Sequence, residues 1–190
     1  NSLNLLKTLL DEEGKEVWRR TMSDLGESIG RSVQLTSDGG YILAGTSSQL
    51  DKSSSDLLLA KTAPDGQRLW YKQFGGKREE SGIRTIETKD GGFIVVGQTW
   101  SFGSGEGDIY LVRTDGQGEL IWQSTLGGVG YEQGESILQS GDSDFIVSGI
   151  SWPFGGGAAD VLLAKINTRG ELIWQGSYGA YNEQYAVLRR

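Results

Sequence analysis

The apolar positions of this chain fall in short runs and do not form helical stripes. One representative stretch has such runs at Ile83–Thr88, Phe93–Gln98, Ile109–Thr114 and Leu120–Thr125. The runs are rich in β-branched, aromatic and leucine residues, and glycine, aspartate and serine separate them. No spacer has the length or the 3.6-residue periodicity of a helix. The pattern predicts an all-β protein built of short antiparallel strands.

The same pattern repeats along the chain. Tryptophan returns every 52 residues, each time four positions after a glycine, at Trp18, Trp70, Trp122 and Trp174. A second marker, the segment Asp38–Ile42 (DGGYI), returns as Asp90–Ile94 (DGGFI) and in degraded form as Asp142–Ile146 (DSDFI). Four antiparallel strands in a fixed unit of this length are typical of a β-propeller blade. We label the strands of a unit a to d, with a innermost.

The repeat divides the chain into predicted blades. Residues 1–26 contain strands c and d of a first blade, residues 27–78, 79–130 and 131–182 are complete blades, and residues 183–190 start a further one. The chain is short of four units by one strand b and its following loop. It is therefore expected to be a single propeller domain of about four blades, or a portion of a larger ring.

Composition excludes several kinds of chemistry. Among 190 residues, 30 are glycine and none is cysteine or histidine, which excludes Ser-His-Asp and Cys-His catalysis, disulfides and Cys/His zinc sites. The net charge of −7 has the wrong sign for a nucleic-acid binder. No apolar run is long enough to span a membrane. Since Met22 is the only methionine, Asn1 is not expected to be a natural start. Neither an enzymatic activity nor a cofactor is expected.

The candidate binding surface is the face that carries the longer loops. Alternating strand direction puts the b–c and d–a loops on one face, and function concentrates on long loops held by a rigid scaffold. Aromatic side chains recur there, at Trp100, Phe102, Tyr131, Trp152, Phe154 and Tyr181. Aromatic planes beside polar groups can bind sugar rings or peptide segments. Alternatively, Trp100 and Trp152 cover the gap between neighbouring blades. The acidic pair Glu79-Glu80 is interpreted as part of a solvated turn.

Two further sets of repeated residues have structural interpretations. The four periodic tryptophans are expected to wedge between adjacent blades. The aspartates Asp56, Asp108 and Asp160 each precede a strand c, where a carboxylate accepts backbone N–H bonds from its own loop. The alternative is a calcium site formed by these aspartates and loop carbonyls.

Three segments carry a resemblance to a known group of proteins: 38–45 (DGGYILAG), 56–61 (DLLLAK) and 66–70 (GQRLW). In this order they resemble bacterial and archaeal β-propeller repeat proteins of the secreted, seven-bladed type. The Gly-x-x-x-Trp motif is similar to the tryptophan-docking repeat of quinone-type propellers. The resemblance implies a propeller fold and a location outside the cell or on its surface. The vicinal cysteines typical of many quinone sites are absent, which argues against carrying over an enzymatic activity.

These observations favour a non-enzymatic interaction or scaffold module that binds a protein partner through its loop-rich face. The acidic chain would suit a basic patch on that partner. A carbohydrate-binding propeller is the alternative, and a hydrolase or quinone-dependent enzyme is the less favoured interpretation. A homo-oligomer that completes a larger ring is a further expectation.

Overall fold

The computed structural model describes residues 5–48, 54–141, 143–152 and 157–179, and the backbone of 186–188. These residues form fifteen β-strands and no helix. The strands are β1 (Leu5–Leu10), β2 (Glu16–Met22), β3 (Glu27–Leu35), β4 (Tyr41–Ser48), β5 (Asp56–Thr62), β6 (Arg68–Phe74), β7 (Glu80–Glu87), β8 (Phe93–Thr99), β9 (Asp108–Thr114), β10 (Leu120–Leu126), β11 (Tyr131–Gln139), β12 (Phe145–Trp152), β13 (Asp160–Ile166), β14 (Leu172–Tyr178) and β15 (Ala186–Leu188).

The strands pair in chain order into four antiparallel sheets. The first sheet is β1–β2, the second β3–β6, the third β7–β10 and the fourth β11–β15. This confirms the predicted all-β class and the four-stranded antiparallel units. The sequence predicts that residues 183–190 start a further blade; in the structure, Ala186–Leu188 pair with β14 and extend the outer edge of the fourth sheet.

The first strand of each complete sheet is longer than its apolar run. Strand β7 begins at Glu80, three residues before the predicted start at Ile83, because Glu80 pairs with Thr99 and extends the ladder. A β-bulge interrupts each of these strands at the same repeat position, and the residues that the pairing skips are Arg31, Ile83 and Glu135. Such a bulge leaves one residue unpaired and turns it away from the ladder.

The hydrophobic core lies between the sheets. One cluster joins the second and third sheets, and a larger one joins the third and fourth. Strands β5, β8 and β9 are buried at every position because a neighbouring sheet covers each of their two faces. This two-sided burial explains why their sequences are continuous apolar runs without a polar alternation.

Three of the four periodic tryptophans, Trp18, Trp70 and Trp122, dock onto the next sheet of the described chain. A β-carbon built on Gly118 would lie 2.8 Å from the ring of Trp70, and one on Gly170 would lie 2.8 Å from the ring of Trp122. Trp122 also donates its indole N–H to the carbonyl of Thr168 at 2.9 Å. Gly118 and Gly170 have φ near +80°, so the motif glycine is required both for the turn and for the approach of the indole.

An ion pair recurs beside each turn that follows the first strand. Asp38 binds Lys61 at 2.8 Å and Asp90 binds Arg113 at 2.5 Å, with both basic side chains almost fully buried. These bonds hold the pKa of Asp38 and of Asp90 below the usual range, through Lys61 and Thr36 in one case and Thr88 and Arg113 in the other.

The fourth sheet contains a related ion pair. Asp144, which lies two positions after the repeat equivalent of Asp38 and Asp90, binds Lys165 at 3.2 Å. Ser143 stands where the other copies have Gly39 and Gly91, and it keeps their backbone conformation with φ of 74°. A serine held in this left-handed region is strained.

No helix among the described residues is long and apolar enough to cross a membrane.

Candidate functional site

The loops that join β4 to β5, β6 to β7, β8 to β9, β10 to β11 and β12 to β13 lie on one face, which we call the loop-rich face. The opposite face has tight turns, such as the one in which Thr36 and Gly40 pair through a backbone hydrogen bond. Two of these loops also bind the next sheet: the amide of Glu80 donates to the carbonyl of Ser55 and that of Glu132 to the carbonyl of Gly107, both at 2.8 Å. These two loops are therefore held between two sheets.

Three of the predicted site residues form one aromatic row on this face. The rings of Trp100 and Tyr131 are 6.4 Å apart, and those of Tyr131 and Trp152 are 5.2 Å apart in a T-shaped arrangement. All three side chains are half-buried. Tyr131 donates its hydroxyl to the Oε1 atom of Gln98 at 3.1 Å. The row bridges the third and fourth sheets, as the packing interpretation predicts, and still presents aromatic surface to solvent.

The other three predicted aromatic residues differ in their placement. Phe102 turns inward and packs 5.6 Å from the ring of Tyr110, against the core between the second and third sheets. Its position is that of a packing residue, and its part in binding stays a prediction. Phe154 and Tyr181 lie outside the described residues.

Glu80 is not part of a solvated turn, and that interpretation is wrong for this residue. Its side chain is fully buried. One carboxylate oxygen accepts from the amide of Gly76 at 2.7 Å, and the other accepts from the hydroxyl of Thr99 at 2.8 Å. Glu80 thus joins the loop before β7 to the end of β8.

Glu132 makes the equivalent pair of hydrogen bonds in the fourth sheet. We call Glu80 and Glu132, which each join a loop to a strand end, the clasp residues. Glu132 accepts from the amide of Gly128 at 2.9 Å and from the hydroxyl of Ser151 at 3.0 Å. Asp108 of the third sheet faces the same point, because a β-carbon on Gly127 would collide with the carboxylates of both Asp108 and Glu132. Burial, reinforced by the charge of Glu132, raises the pKa of Asp108 to about 6.

The aspartates before strand c lie against the backbone of nearby loops. The backbone of Ser104, in the loop before Asp108, counteracts part of the rise in the pKa of Asp108. Asp56 repeats its placement, since it shares Gly75 with Glu80. Asp160 is half-buried and lies against Gly179. Within the described part of the chain, no three acidic side chains come together as a metal-binding group. A calcium site at these aspartates stays a prediction.

Two cavities open beside the aromatic row. An outer cavity of 310 Å³ is lined by Ser54, Lys77, Arg78, Glu79 and Trp100. An inner cavity of 210 Å³ shares Glu79 and Trp100 with it and extends towards the first strands of the complete sheets. Trp100 and Glu79 therefore stand between the two spaces.

Sequence reasoning missed the residues that hold the site together. Gln98 fixes the row by accepting from Tyr131 and donating to the carbonyl of Glu132 at 3.3 Å. The clasp residues Glu80 and Glu132 are 52 positions apart, so the repeat itself carried the signal that could have identified them. Gln98 has no such signal, because its role depends on a contact between two sheets.

In comparisons with known proteins, the chain matches no family model and shows no significant similarity to a curated protein.

Proposed function

We propose that this chain is a non-enzymatic β-propeller module of the cell surface or its surroundings, and that it binds a protein partner through the loop-rich face. The observation that carries the proposal is the aromatic row of Trp100, Tyr131 and Trp152. Tryptophan and tyrosine are the side chains that most often dominate the energy of a protein interface.

The row is suited to this task because it is held in place before any partner arrives. Tyr131 is fixed by its bond to Gln98, and the loop around Trp100 is tied to the neighbouring strand through the bond from the Trp100 amide to the carbonyl of Glu79, at 3.0 Å. Side chains that are already ordered lose little conformational entropy on binding. The net charge of −7 would favour a partner with a basic patch around its contact region.

The propeller interpretation is supported by apolar side chains that the first and the fourth sheet expose to solvent. Leu6 of β1 is 55% exposed, whereas Leu58, one repeat later, is 1% exposed. At the other end, Val161 of β13 is 52% exposed, whereas its repeat equivalent Ile109 is fully buried. These are the two faces that neighbouring sheets cover elsewhere in the chain.

In the first sheet, the described residues place no indole ring against the motif glycine, Gly14. A β-carbon on Gly14 would meet no atom within 4 Å, while those on Gly66 and Gly118 would meet the indole of the preceding sheet. In a propeller ring, Trp174 of the fourth sheet would dock onto Gly14, within one chain or between two copies. A monomer mass near 20.6 kDa would favour closure within the chain, and a dimer mass would favour an eight-bladed ring.

A non-enzymatic role is supported by the burial and the hydrogen bonding of two acidic side chains on this face. The carboxylates of Glu80 and Glu132 are buried, and their oxygens bind amides and hydroxyls of the scaffold. General acid–base catalysis needs a carboxyl group within hydrogen-bond reach of the substrate. These two carboxylates are occupied in holding loops, which is a structural role.

The proposal is tested by binding with point variants. Crosslinking in extracts of the source organism would identify a partner, and calorimetry with that purified partner would measure its affinity. Trp152→Ala is expected to weaken binding at least tenfold, because truncating an aromatic anchor removes more than about 1.4 kcal/mol. Tyr71→Ala is the matched control, since Tyr71 is an exposed aromatic on the outer strand β6. Equal affinity for both variants and the wild type would refute the proposal.

A further inference from the structure

The inner cavity lies where the first strands of the three complete sheets converge. It has a volume of 210 Å³, below the range of about 300–1,000 Å³ that is usual for drug-sized ligands. The space therefore suits a ligand of about one ring. Its lining includes Arg31, Thr46, Glu79, Ser81, Ile83 and Trp100.

The bulges of the first strands help to line this cavity. Arg31 of β3 and Ile83 of β7 occupy the same position of the repeat, and each stands at a bulge, outside the regular pairing. The cavity thus receives a guanidinium from the second sheet and an apolar side chain from the third. A bulge that turns a side chain towards a cavity is a frequent feature of binding sites.

Several polar groups of the lining have no protein partner among the described residues. The hydroxyl oxygen of Thr46 is buried and accepts or donates no hydrogen bond there. The side chains of Arg31 and Ser81 likewise make no hydrogen bond or ion pair within the described part of the chain. Arg31 is exposed and Ser81 is half-buried, so both side chains are accessible to a ligand in the cavity, whereas the Thr46 oxygen has almost no accessible surface.

The remaining polar walls are held rigidly. Glu80 is fixed by Gly76 and Thr99, and Gln98 by Tyr131 and Glu132. Gln133 donates to the Oε1 atom of Glu135 at 2.8 Å. A ligand would therefore meet an ordered surface and would lose little affinity to side-chain ordering.

The balance of charge selects the class of ligand. A free anion would meet the carboxylates of Glu79 and Glu80, and a cation would meet the guanidinium of Arg31. A neutral ring with neighbouring hydroxyl groups suits both signs, because hydroxyl oxygens accept from Arg31 and hydroxyl protons can be donated to Glu79. The apolar surfaces of Trp100 and Ile83 can cover the C–H face of such a ring.

We propose that the inner cavity binds one neutral sugar ring, with Arg31, Ser81 and Glu79 bonding its hydroxyl groups and Trp100 covering its C–H face. The outer cavity across Trp100 leaves room for the next residue of a longer glycan. The site shares Trp100 with the row proposed to bind a protein, but Trp152 does not line the inner cavity, so variants at Trp152 separate the two proposals.

Saturation-transfer NMR with free glucose, galactose, mannose and N-acetylglucosamine tests the site. At a concentration of about 10 mM, a ligand with a dissociation constant of about 1 mM fills most sites. At least one of these sugars is expected to receive saturation from the wild-type protein. Arg31→Ala and Ser81→Ala are expected to weaken the binding at least fivefold, while Arg31→Lys keeps part of it.

Two control variants show whether the sugar binds in the inner cavity. Arg84→Ala removes an exposed arginine from β7 that does not line the cavity, and it should leave sugar binding unchanged. Trp152→Ala should also leave it unchanged, even where it abolishes protein binding. The proposal is overturned if none of the four sugars binds, if Arg31→Ala binds sugar as well as the wild type does, or if inorganic phosphate binds more tightly than every sugar.

Discussion

The docking of an indole onto a motif glycine can be measured at a single position. Gly91 and Gly118 have the same backbone conformation, with φ of 80° at both residues. A β-carbon on Gly91 would meet nothing within 4 Å, whereas one on Gly118 would lie 2.8 Å from Trp70. The two glycine-to-alanine changes therefore share the cost of left-handed backbone, about 1–2 kcal/mol. Only Gly118→Ala also displaces the indole, which adds about 1–3 kcal/mol of overpacking.

Urea unfolding at neutral pH gives the free energy of unfolding for each variant. Gly91→Ala is expected to lose about 1–2 kcal/mol and Gly118→Ala about 2–5 kcal/mol. The excess should disappear in a Trp70→Ala background, where no ring opposes the new methyl group, so a double-mutant cycle isolates the docking contact. Equal losses for the two alanine variants in the wild-type background would refute the docking mechanism.

The remaining predictions concern the strained backbone at Ser143 and the buried carboxyl group of Asp108. Ser143→Gly is expected to raise the free energy of unfolding by about 1 kcal/mol, since glycine adopts the left-handed backbone freely, and Gly39→Ser should lower it by a similar amount in urea unfolding. No gain from Ser143→Gly would mean that the serine is unstrained. The pKa of Asp108 is about 6 in the folded protein against an ordinary value of 3.8, so the stability that its neutral form provides is present below about pH 4 and is lost as the pH rises through 6. Asp108→Asn, which cannot ionise, should gain stability relative to the wild type between pH 4 and pH 8, and a difference that stays constant over this range would contradict the assignment.

The repeat made most of the fold predictable from the sequence. Strands β1 and β2 lie within residues 1–26, where the repeat predicts two strands, and the Gly-x-x-x-Trp motif holds adjacent sheets as expected. Both depend on signals that return every 52 residues. The ion pair of the fourth sheet was harder to see, because Asp144, which binds Lys165, lies two positions after the repeat equivalent of Asp38 and Asp90. When only the residue types at equivalent repeat positions are compared, a carboxylate that lies two positions away looks like the loss of the motif.

The loop-rich face was predicted less completely for a physical reason. Its aromatic composition could be read from the sequence, but the depth of each side chain depends on contacts between sheets. Phe102 packs against the core beside Tyr110, whereas Trp100 packs against Tyr131, although both are half-buried and belong to one loop. Glu80 is buried because amide and hydroxyl donors from two separate segments converge on it. Its neighbour Glu79 is exposed, and the two letters give no sign of this difference.

The proposed propeller is tested most directly by the distance between its two end sheets. The chain has no cysteine, so pairs of introduced cysteines can carry spin labels without background. Thr125→Cys with Glu171→Cys labels the junction of the third and fourth sheets and serves as the reference. Ser177→Cys with Lys15→Cys labels the equivalent positions one repeat further on, where the fourth sheet would meet the first.

A closed ring predicts that pulsed electron paramagnetic resonance gives the same distance for both pairs. If two copies form the ring, the distance should vanish on dilution with unlabelled protein, and if one chain closes on itself, it should persist. A much longer or broad distribution for the end pair, in protein whose reference pair gives one sharp distance, would contradict the propeller.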